Sequence, residues 1–446
     1  MAHTLNLTYG STTIQLGNYL LDYSPSSLSL EEVLSNPEAR LTENLEVGPL
    51  PTATIQAIQA AFAQAWRRHK KRIGARVYLE LTPQGGTYQR SEITPGSLVK
   101  HNENVLGYEW IASAVTGFLT VTRRPWWARA RAELALANGS VGSPATGGVV
   151  VYNHDDAGSG HDNWVDIDGA TITGAIPGPV ELRLTNTQNV SQRAYNLHIA
   201  HNVLSDPANL PHILEAENAT TISSGTATAS SDASGGYYVA SSWGSSVESR
   251  LFEWTLSTAL LNAAGGNRFR VLARFHNSVD DTLKARLKIL YEVTTLWEGP
   301  QVLLNAGVGT FFQDLGVVRL PPALVGTGDI HPLYLDLYYE KDGGGTANLD
   351  FIALLPLDGY RKLEPQGYGL AYNARLVDDQ LEGYVYTDGW ATAGKTPHYL
   401  GLGDPFKLWP GEDQRLYFYA DKISGGVQIA QTFSVRAYYR PRVLTI

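Results

Sequence analysis

Apolar and polar residues alternate along most of this 446-residue chain. The segments RVYLELT (76–82), VELRLTN (180–186), RFRVLARF (268–275) and FSVRAYYRP (433–441) all repeat with a period of two. Alternation of this kind, between clusters of Gly, Pro, Asn and Asp, is typical of strands with one buried face. The 44 glycines suit the many turns of such a fold. The pattern predicts a mainly β protein made of several β-sandwich, jelly-roll-like domains.

One segment departs from this period. TATIQAIQAAFAQAWRRHKKRIG (52–74) places Ile55, Ile58, Phe62 and Trp66 three or four residues apart, which predicts an amphipathic helix in an N-terminal domain. The basic end of the helix is compatible with a nucleic-acid or membrane patch, or with a solvated helix end that faces an acidic neighbouring subunit. The chain is acidic, which favours the second interpretation. The candidate subunit-interface residues are Trp66, Arg67, Arg68, Lys70 and Lys71.

Shifts in composition indicate where domains begin and end. The small, uncharged segment 135–148 and the Pro-containing segments 205–212 and 355–367 are typical of linkers. They predict a ring-forming β domain with one helix over 1–142 and a connecting β domain over 143–210. A separate β-sandwich over 211–357 and a C-terminal β domain over 358–446 follow.

Composition and charge exclude several classes of function. The net charge of -9 argues against a nucleic-acid partner, because phosphate binding needs a basic surface. The absence of cysteine excludes disulfides, thiolate metal sites and thiol nucleophiles. We expect no signal peptide and no membrane insertion, because the N-terminus has no basic region and no apolar run reaches about 18 residues. No phosphate loop, HExxH pair or GxSxG elbow occurs, and we expect no catalysis.

The segment HDDAGSGHDNWVDIDG (154–169) concentrates more metal-capable side chains than any other stretch. Its spacing does not match a calcium-binding loop, and its Asp, Asn and Gly residues commonly form turns. We interpret it as a structural connection, with a bound calcium ion as the alternative.

Four segments in fixed order suggest a known kind of module. ILEAENA (213–219), ASGGYYVASSW (233–243), RFRVLARF (268–275) and TANLDFIALLPL (346–357) together resemble the carbohydrate-binding modules of the β-sandwich type that includes families 6 and 35. Phe269 stands where those modules usually have Tyr. The resemblance implies a structural Ca²⁺ held by Glu215, Glu217 and Asp350, and the alternative is that all three are solvent-facing strand residues.

In such modules, aromatic rings stack on the sugar face and amides reach its hydroxyls. The candidate glycan-binding residues are the aromatics Tyr237, Tyr238, Trp243 and Trp297 and the amides Asn277 and Asn348. A purely architectural module that binds no sugar remains an alternative.

The flanks resemble a different kind of protein. GSTTIQLGNYLLDYSP (10–25), GFLTVTRRPWWARA (117–130) and PFKLWPGEDQRLYFYAD (405–421) are similar in style to distal tail or minor tail (baseplate-ring) proteins of long-tailed bacteriophages. That resemblance implies a virion protein of the tail tip, made in the host cytoplasm. It would form a homo-oligomeric ring, for which a hexamer is one candidate, and would contact other tail proteins. Its module would face host surface polysaccharide. The alternative is a secreted or cell-surface carbohydrate-active protein.

Overall fold

The computed structural model describes residues 4–444 except 19, 24, 37–38, 49, 72–73, 84, 95–97, 101–116, 156–159, 188–192, 207–209, 245, 277–281, 305–310, 324–331, 366–368, 389–398 and 424–431. Within these residues the strands pair antiparallel in six sheets, and helices are few. This confirms the predicted mainly β protein with several sandwich-like domains. None of the described helices is long and apolar enough to cross a membrane. Strands (β) and helices (α) are numbered below in chain order.

The chain divides into two compact units, of which the first comprises Met1–Ala132, Thr173–Gly178 and Arg440–Ile446. This N-terminal unit contains α1 (Leu30–Ser35), which Ser29 caps, and α2 (Thr52–Lys71). Its first sheet has the order β2 (Thr12–Gln15), β1 (Thr4–Tyr9), β5 (Val77–Thr82), β6 (Gln89–Glu92), β9 (Trp127–Ala128), β35 (Arg442–Val443). Its second sheet has the order β3 (Leu20–Asp22), β4 (Leu41–Val47), β8 (Gly117–Arg123), β7 (Leu98–Lys100).

The helix predicted from the sequence packs on the core of the N-terminal unit. Ile55, Ile58 and Ala65 of α2 are buried in the same cluster as Leu7 of β1 and Leu79 of β5. The spacing of the apolar residues therefore determines which face of the helix is covered.

The second unit, Glu133–Ile172 with Pro179–Tyr439, contains two sandwiches. We call the one built from both ends of this unit the host sandwich. One of its sheets has the order β10 (Ala132–Glu133), β34 (Thr432–Tyr439), β14 (Gly178–Asn186), β29 (Arg375–Asp379), β30 (Tyr384–Asp388), with β12 (Val149–Tyr152) on β34 and β32 (Lys407–Leu408) on β14. The other has the order β11 (Leu136–Ala137), β13 (Trp164–Ile167), β33 (Gln414–Ile423), β15 (Arg193–Val203), β28 (Tyr360–Pro365), β31 (Tyr399–Leu402).

Strands from 143–210 and from 358–446 thus lie side by side in both sheets of the host sandwich. Val180 of β14, for example, pairs with Tyr439 of β34, and Ile199 of β15 pairs with Phe418 of β33. The separate domains over 143–210 and 358–446 stay a prediction. In the structure, strands of both segments share one apolar core.

The second sandwich is formed by described strands from His212–Pro356 alone, and we call it the inserted sandwich. Its inner sheet has the order β18 (Thr226–Ala229), β19 (Tyr237–Trp243), β27 (Gly345–Pro356), β21 (Arg268–Phe275), β25 (Phe311–Arg319), with β16 (His212–Glu215) on β27. Its outer sheet has the order β17 (Thr221–Ile222), β20 (Ser249–Leu256), β26 (Leu333–Glu340), β22 (Lys284–Tyr291), β23 (Thr294–Glu298), with β24 (Val302–Leu303) on β22. Helix α3 (Thr258–Ala264) connects β20 to β21.

The inner sheet is covered on both faces. One face forms the core of the inserted sandwich with the outer sheet, and the other packs against the host sandwich. At this contact Phe312 and Phe351 of the inserted sandwich meet Tyr419 of β33, with ring centroids 5.7 and 6.3 Å apart. The two sandwiches are therefore joined by an apolar layer as well as by the chain.

Candidate functional site

The three carboxylates implied as calcium ligands lie at one end of the inner sheet. Glu215 is the last residue of β16 and pairs with Phe351 of β27, which brings it beside Asp350. Glu217 follows two residues later. Gly235 has a φ of 61°, and a Cβ atom there would lie 2.9 Å from Glu217 Oε1 and 3.9 Å from Glu215 Cδ. Strand pairing and this tight turn thus bring the predicted residues together.

The cluster combines three carboxyl groups with one guanidinium. Asp350 forms an ion pair with Arg274 of β21, and both side chains are buried. Asp350 Oδ1 also accepts a hydrogen bond from the Ser234 amide over 3.0 Å. Burial raises the pKa of Glu215 to about 8, and it raises the pKa of Asp350 to about 7 even though the Arg274 guanidinium lowers it. The Arg274 guanidinium therefore offsets only part of the free-energy cost of burying the ionised Asp350 carboxylate.

Two oxygen atoms of the cluster could accept a cation. Glu215 Oε2 and Glu217 Oε2 are buried without a hydrogen-bond partner, whereas Asp350 has both oxygens engaged. Unpartnered buried carboxylate oxygens are costly, and they are the ligand type that Ca²⁺ prefers. In the described part of the chain, no group of three or more His, Cys, Asp or Glu side chains is arranged around one point. Glu215 and Glu217 thus each offer one oxygen of the type that binds a hard cation, whereas Asp350 is paired with Arg274.

The Asp-rich segment meets this cluster. The Ser234 hydroxyl lies 3.1 Å from the main-chain oxygen of Asp155 and 2.7 Å from Glu215 Oε1. His154 is buried, and its Nδ1 lies 3.5 Å from Arg274 Nη2. Burial, with the Arg274 charge as the second cause, lowers the pKa of His154 well below its usual value. The host sandwich thus contributes backbone and imidazole atoms to a site that the sequence placed in the inserted sandwich alone.

The other described aspartates of this segment have local partners. Asp162 accepts a hydrogen bond from the Ser140 amide over 2.8 Å, and Asp168 caps a short turn through the amide of Ala170 over 2.8 Å. Asp166 forms an ion pair with Arg415. These contacts support the interpretation of 154–169 as a structural connection, while residues 156–159 lie outside the described part.

The predicted sugar-binding aromatics lie apart. Tyr237 is 46% exposed at the start of β19. Tyr238 stacks on His276, with ring centroids 4.1 Å apart and an interplanar angle of 12°. Trp243 ends the same strand, about 20 Å away, and packs against Tyr339 at a centroid distance of 5.3 Å. One stacking surface cannot contain all three rings.

The remaining candidates are divided between the sheets. Trp297 lies on β23 of the outer sheet and packs partly buried on the core. Asn348 lies on β27, where its main-chain oxygen accepts a hydrogen bond from the His276 amide over 2.8 Å, close to Tyr238. Asn277 lies outside the described residues. Among the described candidates, Tyr238 and Asn348 thus lie near each other in the inner sheet, and Tyr237 precedes Tyr238 in β19 with its side chain on the opposite face.

The candidate interface residues on α2 differ in exposure. Trp66 is 49% exposed, and Arg67, Lys70 and Lys71 are exposed as well. Arg68 is turned inward and is 9% exposed. Four of the five candidates therefore lie on the surface of the N-terminal unit.

Comparison with known proteins identifies no family. No family model matches the chain, and no curated protein matches it. Among solved structures, a β-(1,4)-mannanase with a family 35 carbohydrate-binding module from Podospora anserina is 16% identical, with a TM-score of 0.24, over 33% of this chain and 28% of that one. An exo-β-1,3-galactanase from Phanerochaete chrysosporium is 11% identical, with a TM-score of 0.23, over 70% of this chain and 78% of that one. The VP2 subviral particle of infectious bursal disease virus is 9% identical, with a TM-score of 0.18, over 82% and 72%.

These similarities are distant. The matched region corresponds to 28% of the length of the mannanase. The chain is a mainly β, multi-sandwich protein that distantly resembles a protein with a carbohydrate-binding module and a viral capsid protein.

Proposed function

We propose that this chain is a non-catalytic structural component of a bacteriophage tail tip, a distal tail or minor tail protein. It assembles through the N-terminal unit into a homo-oligomeric ring, contacts other tail proteins, and presents the inserted sandwich outward to host polysaccharide. The observation that carries the proposal is the exposed face of α2, together with the resemblance of the flanks to tail proteins. Tryptophan and arginine are enriched among the residues that anchor protein interfaces.

The charges of the chain suit such an assembly. Arg67, Lys70 and Lys71 surround Trp66 on the surface, while the chain as a whole carries a net charge of -9. A basic helix end on one copy and an acidic surface on the next would attract each other and favour one orientation.

The experiment is a mass measurement of the purified chain combined with negative-stain imaging. We expect closed rings with peripheral lobes, and we expect Trp66→Ala to shift the mass toward smaller species. Trp409→Ala is the matched control, because Trp409 is also exposed but lies in the other unit. A monomer at micromolar concentration, or rings that Trp66→Ala leaves intact, would contradict assembly through α2.

Within this function we further propose that the inserted sandwich binds glycan at the inner-sheet end that carries Tyr237, Tyr238 and Asn348. The exposed Tyr237 ring offers an apolar surface for the C–H face of a sugar. Many copies in a ring would strengthen a weak single-site affinity.

Retention on immobilised host polysaccharide tests this site. Tyr237→Ala should lower retention, whereas Trp297→Ala should leave it unchanged in the folded protein. The reverse pattern would move the site to the outer sheet. If wild-type protein shortens the polysaccharide, the chain is a carbohydrate-active enzyme and the non-catalytic proposal is wrong.

We also propose that Glu215 and Glu217 hold a structural Ca²⁺. The ion would satisfy their two unpartnered oxygens and would displace the proton that burial favours on Glu215. Calcium should raise the melting temperature of the wild-type chain and have a smaller effect on Glu217→Gln. Equal effects of calcium on both proteins would contradict this site.

A further inference from the structure

We propose that His154 and His161 form a second, separate metal site, one for a transition-metal dication such as Zn²⁺. Both residues belong to the Asp-rich segment, for which the proposed function has no use. His154 Nε2 and His161 Nδ1 face each other at 3.4 Å, and the two rings are perpendicular, with centroids 5.2 Å apart.

The hydrogen bonds of Asn153 determine which nitrogen of His154 is free. The Asn153 amide nitrogen donates to the Ala420 carbonyl over 3.2 Å, which turns the amide oxygen toward His154. That oxygen lies 3.0 Å from His154 Nδ1, nearer than the Arg274 Nη2 donor at 3.5 Å, so we assign the proton to Nδ1 with the Asn153 oxygen as its acceptor. Nε2 therefore presents a lone pair, in a side chain that is completely buried. An imidazole held through its other nitrogen is the usual arrangement of a histidine metal ligand.

The separation of the two nitrogens suits a shared metal ion. Two ligands at about 2.0–2.1 Å from a tetrahedral Zn²⁺ are about 3.3–3.4 Å apart, and their ring centroids are about 5 Å apart. A direct hydrogen bond would normally be shorter, at about 2.7–3.2 Å. The observed 3.4 Å and 5.2 Å agree with the metal-bridged arrangement.

Ring contacts hold His161 in place, and its side chain is partly open to solvent. His161 stacks on Tyr152 with centroids 4.1 Å apart, and it is only partly buried. Arg274 approaches His154 on its Nδ1 side rather than at Nε2. Because the described residues supply no third His, Cys, Asp or Glu at this point, water would complete the coordination. Imidazole ligands favour Zn²⁺, Cu²⁺, Ni²⁺ or Co²⁺ over Ca²⁺.

A metal at this pair would cross-link positions 154 and 161 of the host sandwich. Asp155, next to His154, lies in contact with Ser234 of the inserted sandwich. The ion would therefore stabilise the host side of the junction between the two sandwiches.

Titration of the untagged full-length chain with ZnCl₂ by isothermal calorimetry tests the site, with Co²⁺ absorption as a probe of tetrahedral nitrogen coordination. We expect one Zn²⁺ per chain at this pair, and at least tenfold weaker binding in His161→Gln. His161 is partly exposed, so this variant should fold, and its melting curve checks that. His69→Gln, on the surface of α2, is the matched control and should bind like wild type.

Glu217→Gln distinguishes this site from the proposed calcium site, because the variant should bind Zn²⁺ with the affinity of the wild-type chain. Absence of Zn²⁺ binding by the wild-type chain at micromolar metal would overturn the proposal. Equal Zn²⁺ affinities of wild type and His161→Gln would overturn it as well. Neither result would bear on ring assembly or glycan retention.

Discussion

Ser234 of the inserted sandwich lies within hydrogen-bonding distance of the Asp155 carbonyl of the host sandwich, at 3.1 Å. The same hydroxyl lies 2.7 Å from Glu215 Oε1. A hydroxyl has one proton, so it cannot fully satisfy both acceptors. If Glu215 is protonated, it donates to Ser234, and Ser234 is free to donate to Asp155. The protonation of one glutamate is thereby coupled to the contact between two sandwiches.

Removal of this hydroxyl should weaken the junction. Ser234→Ala leaves Glu215 Oε1 and the Asp155 oxygen without this partner, and a buried unsatisfied group costs about 1–3 kcal/mol. We expect a loss of that size in the free energy of unfolding, measured with urea. Ser231→Ala, at an exposed position of the same turn region, should change it by less than about 0.5 kcal/mol. Equal effects of the two variants would mean that the hydroxyl does not contribute.

The buried ion pair should matter far more than an exposed one on the same strand. Arg274→Met leaves Asp350 buried without its countercharge, and breaking a buried pair costs about 3–5 kcal/mol. Arg270, also on β21, forms an ion pair with Asp314 that is partly open to solvent. Arg270→Met should therefore cost about 1 kcal/mol or less. Urea unfolding of both variants measures the difference, and similar losses would show that the Arg274 pair has no special role.

The regular elements could be predicted because their causes are local. Period-two alternation marks the strands, and the spacing of Ile55, Ile58 and Ala65 determines which face of α2 is buried. The sequence could not show that 143–210 and 358–446 share two sheets. Val180 and Tyr439 pair although the inserted sandwich separates them in the sequence. A period-two pattern does not indicate which strand is the neighbour in the sheet.

The candidate site was predictable in part. The family resemblance indicated Glu215, Glu217 and Asp350, and pairing of β16 with β27 brings them together. The role of Arg274 as the countercharge of Asp350 depends on packing between strands. The contact of His154 and Asp155 with this cluster depends on how two sandwiches pack, and no local motif encodes that.

Stability should fall as the pH rises from about 6.5 to 8. The pKa of Glu215 is raised from 4.5 to about 8 by burial, so the folded chain binds a proton that the unfolded chain has lost. The free energy of unfolding then decreases with rising pH, by at most about 1.4 kcal/mol per pH unit for one group.

Two buried histidines, His198 and His201, affect stability below pH 6.5 instead. Burial lowers the pKa of His198 to about 3 and of His201 to about 4, so their contribution is present above pH 6.5 and lost on acidification. Glu215→Gln should therefore flatten the slope between pH 6.5 and 8 in urea unfolding, and exposed Glu31→Gln should not. An unchanged slope in Glu215→Gln would assign the pH dependence to other groups.

Alanine substitutions at Gly235 and Gly236 test whether the Glu217 carboxylate packs against this turn. Both glycines have positive φ, 61° and 81°, so alanine at either position carries a similar backbone penalty of about 1–2 kcal/mol. A Cβ at Gly236 meets nothing within 4 Å, whereas one at Gly235 lies 2.9 Å from Glu217 Oε1. Gly235→Ala should therefore be the more destabilising in urea unfolding, and it alone should reduce the stabilisation by calcium, because it displaces a proposed ligand. If both variants lose the same free energy and respond equally to calcium, Glu217 does not lie against this turn in solution.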